Sequence, residues 1–343
     1  MNEAGSIAVL GATGAVGSEL LRLLGARGVT GDRIRALGSS GESNVACGDA
    51  MVPVEPVEEG SFRDVRLVFM AAGAEAARTW APIAIAAGCD VIDTSSAYRL
   101  DPEVPLVIPE VNAAVLDRLK TAPRLVANPN CSTILLLMAL TPLQQAFGCS
   151  RITVSTYQAV SGAGSAAMDT LRRQSREVLD GTPVTGGWFD EPCAFNVFSH
   201  ESPVDQATGR NEEEQKMLQE TRRIWETEVL VNATCVRVPV LRSHAESIHV
   251  ELEHPATVEA VRTAISEFPG VALVDDRAHN NFPTSLKACE DDSVLVGRIR
   301  FAADATIDAQ GRADRFQLLC SMDQLRKGAA LNAIQLADLL AVD

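Results

Sequence analysis

The apolar residues of the N-terminal third fall in short solid blocks. Ile7-Ala-Val-Leu10 reads as a buried strand, and after a glycine-rich turn Ser18-Glu-Leu-Leu-Arg-Leu-Leu24 places its leucines at helical spacing. Blocks at 34–37, 65–69 and 90–93 predict three more strands, with a helix over 79–87 ahead of the last. Strands that are apolar throughout, with helices between them, suit a doubly wound sheet covered on both faces. Leu125-Val126 is one more short block, and Ile134-Leu-Leu-Leu-Met-Ala-Leu140 predicts a helix buried all round.

Beyond that helix the pattern changes to alternation. Ile152-Thr-Val-Ser-Thr-Tyr157 alternates like a strand of an antiparallel sheet, as do the stretches 234–240 and 248–253. In the last, Ile248, Val250 and Leu252 face a core while His249, Glu251 and Glu253 face outward, and 241–247 is the bend before it. Helices are predicted at 168–179, at 212–229 behind the cap Asn211, and at 258–268. Strands follow at 271–274, 294–300 and 316–321, and a helical segment over 324–340 closes the chain. Residues 181–209, rich in Gly, Pro and Ser, predict a long irregular loop. No repeat and no low-complexity tract interrupts this order.

Composition adds exclusions. At 343 residues and 46% hydrophobic, the chain can bury two cores. A net charge of -15 argues against nucleic acid or an anionic membrane as partner, although a local arginine cluster can still hold a small anion. No apolar stretch reaches the ~18–20 residues of a membrane helix, and nothing ahead of Ile7 resembles a signal peptide. The eight cysteines form no C-x-x-C pair, which fits free thiols in a reducing cytoplasm. A half-buried strand accounts for His249, Glu251 and Glu253 without a metal, and none is expected.

Chemistry concentrates in a few places. Gly11-Ala-Thr13-Gly14-Ala15-Val16-Gly17 lies between strand and helix, the context of a dinucleotide fingerprint, although a glycine turn of another α/β protein would look the same. Behind the second strand stands Gly38-Ser39-Ser40-Gly41, where an NAD enzyme often carries an acid for the ribose. Small hydroxyl residues there leave room for a 2′-phosphate; a plain surface turn is the alternative. Ala71-Ala72-Gly73 would let a cofactor pass close. In Ala127-Asn128-Pro129-Asn130-Cys131-Ser132-Thr133, Pro129 forces a turn and Ser132 and Thr133 suit a helix cap. Cys131 then sits at a helix start, where the dipole favours a thiolate. Most free cysteines are small buried hydrophobes, and only this turn lifts Cys131 above the others. Arg99 ends a polar turn, where an arginine is usually just solvated. Glu213 and Lys216 could be an ordinary i,i+3 pair, and His244 lies in a bend near Arg237.

Together these stretches resemble the aspartate-β-semialdehyde dehydrogenase family from Ile7 to the final helix. The motifs are Asn-Pro-Asn-Cys131-Ser-Thr, Gln158-Ala-Val-Ser161-Gly162-Ala-Gly, Glu213-Glu-x-Lys216, Arg237-Val-Pro-Val-x-x-x-His244, and the Leu-Arg-Lys-Gly-Ala-Ala-Leu-Asn that follows Gln324. The resemblance implies an α/β fold: a Rossmann-type NADP domain, 1–132 plus 325–343, and an α+β catalytic and dimerisation domain, 133–324. It implies NADPH-dependent conversion of aspartyl phosphate to aspartate semialdehyde and inorganic phosphate, a step toward lysine, methionine, threonine and isoleucine. Cys131 would be the nucleophile, His244 the general acid/base, and Gln158 the group orienting the acyl carbon. Arg237 would hold the substrate carboxylate, Glu213 its ammonium, and Arg99 and Lys216 phosphate, with Asn130 also touching substrate. Gly11, Thr13, Gly14, Ala15, Val16, Gly17, Ser39, Ser40, Gly73, Ser161, Gly162 and Gln324 would meet the cofactor. A homodimer or dimer of dimers would be the working form. Another acyl-phosphate reductase, such as N-acetyl-glutamyl-phosphate reductase, and a non-catalytic paralogue are the alternatives.

The chain departs from the family pattern on the cofactor and phosphate side. Gly41-Glu42 stands where an arginine is usual, Gln324 and Thr94 where asparagines are usual, and 181–209 matches poorly apart from Asn196. The expectation is therefore NADP with NAD tolerated.

Overall fold

In the computed structural model, which describes residues 6–41, 43–119 and 123–341, the chain divides into two units. Met1–Asn130 with Gly328–Asp343 form one, and Cys131–Lys327 the other. Glu42 lies outside the described residues.

The first unit runs β1 (Ser6–Leu10), α1 (Ala15–Ala26), β2 (Ile34–Gly38), β3 (Asn44–Cys47), β4 (Ala50–Pro56), β5 (Val65–Met70), α2 (Ala74–Ala86), β6 (Asp90–Asp93), α3 (Pro109–Asn112) and β7 (Leu125–Ala127). Its sheet has the order β3-β4-β2-β1-β5-β6-β7 and is parallel except for the β3–β4 hairpin. The solid apolar blocks have a direct cause, because each strand is covered on both faces. Ile7 and Val9 pack with the leucines of α1, while Ala8 and Leu10 pack with Phe62 and the alanines of α2. The β3–β4 hairpin is absent from the sequence reading. Only Val52 and Val54 turn inward from β4, and Pro53 and Pro56 read as breakers. Helix α2 likewise begins at Ala74, ahead of the predicted 79, directly after Gly73 with its φ of +88°.

The second unit runs α4 (Cys131–Phe147), β8 (Cys149–Gln158), α5 (Ser165–Leu179), β9 (Phe198–Ser199), α6 (Glu212–Trp225), β10 (Leu230–Arg237), β11 (His244–Ala256), α7 (Val258–Ser266), β12 (Val271–Leu273), α8 (Ser285–Ala288), β13 (Val294–Phe301) and β14 (Ala313–Met322). Its sheet is ordered β12-β13-β14-β11-β8-β10-β9 and is mixed. β8 pairs antiparallel with β11 but parallel with β10, because α5, the 181–209 loop and α6 supply the long crossover a parallel pair requires. α4, α6 and α7 form one layer over the sheet. Ile152, Val154, Thr156 and Gln158 of β8 are buried, as are His244, Glu246, Ile248 and Val250 of β11; the residues between them are half-buried or exposed. Among the boundaries that differ from the sequence reading, three are instructive. Ser132 and Thr133 lie inside the first turn of α4, since Cys131 is its first residue. His244 opens a strand instead of sitting in a bend, and α6 stops at Trp225, where Glu226 adopts a left-handed conformation. After a π-helical turn, Arg326–Ala330, the chain ends in α9 (Leu331–Leu340), which packs in the core of the first unit.

Candidate active site

Five elements of the second unit, α4, β8, α6, β10 and β11, carry the predicted residues Cys131, Gln158, Glu213, Arg237 and His244. Cys131 is half-buried at the first position of α4, where the helix dipole favours a thiolate. The other seven cysteines are pushed up by burial, Cys89 to about 11 and Cys149 to about 12. Gln158 ends β8 with its Nε2 2.9 Å from Ser132 Oγ, 3.3 Å from Glu213 Oε1 and 3.4 Å from Thr156 Oγ1. The residue after Cys131 is thus tied to a glutamate in the first turn of α6. Asn211 caps that helix by accepting from Glu214 N–H, and Glu214 returns a carboxylate to Asn211 N–H. Glu213 is buried, and Lys216 Nζ stands 3.6 Å from its carboxylate.

Ala159, the next residue in the chain, serves both remaining groups. Its N–H donates to His244 Nδ1 at 3.0 Å, and its carbonyl accepts from Arg237 Nη1 at 2.7 Å. A backbone N–H aimed at Nδ1 leaves the imidazole proton on Nε2. His244 is fully buried, Nε2 has no hydrogen-bond partner among the described residues, and its pKa is lowered to about 3. Burial is the main cause and the Arg237 charge adds to it. His244 is therefore a neutral donor at physiological pH. Gly162 explains itself sterically, because a Cβ there would press to 3.2 Å on both Arg237 Nη1 and His244 Cε1. Arg237, 1% exposed, lies over the Phe189 ring at 5.6 Å.

Several participants carried no signal in the sequence. Glu201 and His200 sit on Arg237, and Ser202 Oγ accepts from Glu213 N–H at 3.2 Å. All three belong to the 181–209 loop, which has neither period nor motif. Two residues beyond His244 on β11, Glu246 is wholly buried, and neither carboxylate oxygen has a hydrogen-bond partner among the described residues. Burial, and then the charge of Glu213, push its carboxyl well above the usual range. Gln324, expected on the cofactor, is buried and engaged at both ends of its amide: Oε1 accepts from Ser243 N–H at 2.8 Å and Nε2 donates to Ser161 Oγ.

The first unit holds the remaining predicted residues. Gly11 has φ +86°, and a Cβ on it would meet Ala71 O at 2.5 Å; a Cβ on Gly17 would meet Gly11 O at 2.1 Å. Gly14 caps α1 without a side-chain bond, and no acid lies in the first turn, so the backbone N–H groups of Ala15 and Val16 suit a pyrophosphate. Thr13, Ser39 and Ser40 are exposed. Arg99 is buried, its Nε donating to Asn128 O and its Nη2 to Thr94 O, both at 3.0 Å. Asn332 Nδ2 holds Asn128 Oδ1 at 2.8 Å, which fixes the Asn-Pro-Asn turn that ends at the buried Asn130.

Known proteins resemble this chain in sequence and fold. Residues 6–119 match the family described as semialdehyde dehydrogenase, NAD binding domain, and residues 140–327 match semialdehyde dehydrogenase, dimerisation domain. An aspartate-semialdehyde dehydrogenase of Synechocystis is 44% identical over 337 residues, 97% of this chain and 96% of its own. The crystal structure of aspartate semialdehyde dehydrogenase II of Vibrio cholerae, complexed with ASA, has a TM-score of 0.91 at 39% identity and covers 100% of this chain and 99% of its own. The Candida albicans enzyme with NADP, 23% identical and covering 99% of each chain, shares the fold at a TM-score of 0.73.

Proposed function

The chain belongs to the aspartate-semialdehyde dehydrogenase family, and from that premise we propose how its residues perform the family's reaction. The activity is the reductive dephosphorylation of aspartyl phosphate to aspartate semialdehyde. The Cys131 thiolate attacks the acyl carbon, a C–S bond forms, the C–O bond to phosphorus breaks, and phosphate leaves. A nicotinamide held by the first unit would supply the hydride that reduces the resulting thioester carbon. The carbonyl oxygen gains charge in that step, and neutral His244 stabilises it by donating from Nε2. Collapse of the hemithioacetal releases the aldehyde and returns the thiolate, so the step needs no proton from the imidazole. Gln158 orients the acyl group, Arg237 holds the carboxylate and Glu213 the ammonium, while Lys216 and Arg99 hold phosphate.

The observation that carries this reading is Ala159, whose two backbone groups hold His244 and Arg237 while the neighbouring Gln158 reaches Ser132 and Glu213. One short stretch thereby sets oxyanion donor, carboxylate clamp and ammonium clamp relative to the helix that begins with the nucleophile. NADP is the preferred cofactor: Gly11, Thr13, Gly14, Ala15, Val16 and Gly17 would take the pyrophosphate, and Ser39 and Ser40 the 2′-phosphate. The working form is a homodimer formed through the half-exposed face of the second sheet, which carries Ser155, Tyr157 and Ser247. The test is phosphate-dependent NADP reduction with aspartate semialdehyde. Wild-type protein should turn over, and Cys131→Ala should abolish turnover while still binding NADP. Turnover by the variant, or by wild type without phosphate, would refute the reading.

A further inference from the structure

Arg237 has five N–H donors, and four of them are committed within the protein. Nε donates to Glu201 Oε2 at 3.1 Å, and Nη2 donates to Glu201 Oε1 at 2.6 Å. Nη2 also faces His200 Nε2 at 3.0 Å, and Nη1 donates to Ala159 O at 2.7 Å. The Nε/Nη2 edge, one of the two pairs of parallel donors that match a carboxylate, is therefore filled by a carboxylate of this chain.

That placement is built into the fold. β9 pairs with the end of β10, setting Phe198 opposite Arg237, and His200 N–H donates to Cys235 O at 2.9 Å. The loop is thus pinned to the arginine's own strand directly before Glu201. Glu201 is 32% exposed where Arg237 is 1% exposed, so the acid lies on the solvent side of the pair. Burial raises the Glu201 carboxyl, but the bond and charge of Arg237 outweigh it and hold the group below its ordinary range, ionised at neutral pH.

We propose that Glu201 is an internal competitor for the Arg237 fork, a carboxylate that the substrate's own carboxylate must displace in order to bind. This rests on the assignment of Arg237 as the carboxylate clamp and goes beyond it by naming a residue that sets apparent affinity and selectivity. An aldehyde without a carboxylate has nothing to exchange for Glu201 and leaves the fork closed. If the docked arrangement holds about nine-tenths of the population, it raises the apparent KM about tenfold.

The experiment compares Glu201→Gln with wild type in the oxidative direction. The KM for aspartate semialdehyde should fall by about three- to tenfold, the KM for phosphate should not move, and inhibition by succinate should strengthen in parallel. Glu201→Asp, which keeps the charge on a shorter arm, should shift the same way and serves if the glutamine variant does not fold. An unchanged or raised KM for the semialdehyde in these variants overturns the proposal, since Glu201 would then support Arg237 and not compete for it. Arg237→Leu separates the two levels: if it leaves the semialdehyde KM alone, the clamp assignment itself has failed.

Discussion

His244 is neutral because the fold leaves it no alternative. It is fully buried beside the Arg237 guanidinium, and a backbone N–H points at Nδ1, so its pKa falls to about 3. The charged form is the one penalised, which fixes the sign of the linkage. The unfolded chain takes up this proton near pH 6.5 and the folded chain near 3. Stability from burying the neutral ring is fully present above 6.5 and is lost as pH falls toward 3. Catalysis follows the same logic, since a ring that stays neutral donates from Nε2 at every working pH. We expect kcat/KM for aspartate semialdehyde to show no acid limb near pH 6.5 arising from His244. His244→Ala should lower the whole profile by ~10²–10³-fold, as loss of one oxyanion donor does, without moving its inflections. An inflection near 6.5 that disappears in His244→Ala would instead make the ring a titrating base.

At the scale of elements, β11 does two things with one face. The alternation that points Ile248, Val250 and Leu252 into the core also points His244 and Glu246 inward. Glu246 lies in register with Cys320 on one side and Thr156 on the other, neither carboxylate oxygen has a hydrogen-bond partner among the described residues, and burial favours its protonated form. Here the linkage has the opposite sign. Above pH ~4.5 the unfolded chain ionises this glutamate while the folded chain retains its proton, so stability is lost as pH rises until the folded pKa is reached. Glu246→Gln removes that dependence at nearly constant shape. Its Tm should match wild type near pH 5 and exceed it increasingly toward pH 8, read by calorimetry at several pH values. A variant less stable than wild type at pH 8 would mean that the carboxylate is ionised and compensated. Helix α4 is the other informative element: it is apolar all round because it lies between the sheet and its neighbours α6 and α7, and only its first residue carries chemistry.

For the molecule as a whole, the cofactor choice rests on the turn that follows β2. Ser39 and Ser40 follow β2 with no acid in those two positions, and a 2′-phosphate there can accept hydrogen bonds from both hydroxyls. The arginine usual in the family is replaced by Gly41, and a lost charge-assisted bond is worth about 1.5–3 kcal/mol. NADP should therefore be favoured over NAD by a modest margin, with measurable NAD turnover. Gly41 does not adopt the left-handed conformation, and a Cβ on it would approach Pro56 Cδ at 3.1 Å, a contact that needs only a small shift of the ring. Gly41→Arg should lower the KM for NADP about tenfold or more and leave NAD nearly unchanged. A wild-type kcat/KM favouring NAD by about tenfold would refute the NADP preference.

Local rules determined a good deal of this protein. Apolar blocks of four or five residues with a glycine turn between them specify a doubly wound sheet, because periodicity and φ restriction act within one turn or strand. By the same reach, Pro129 ends the strand at 127 and starts a helix at Cys131. The motif residues Gln158, Glu213, Arg237 and His244 were legible one by one, but their relations were not. Ala159 joins two of them only because β8 ends beside β10 and β11, and sheet order is a property of the whole unit. Glu201 and Glu246 were invisible for the same reason. An acid in an irregular loop and an acid in a strand look alike in a sequence, and only register decides that one meets an arginine while the other meets nothing. The β3–β4 hairpin escaped because two inward valines between prolines are too short a signal, and only its pairing with β2 makes it a strand.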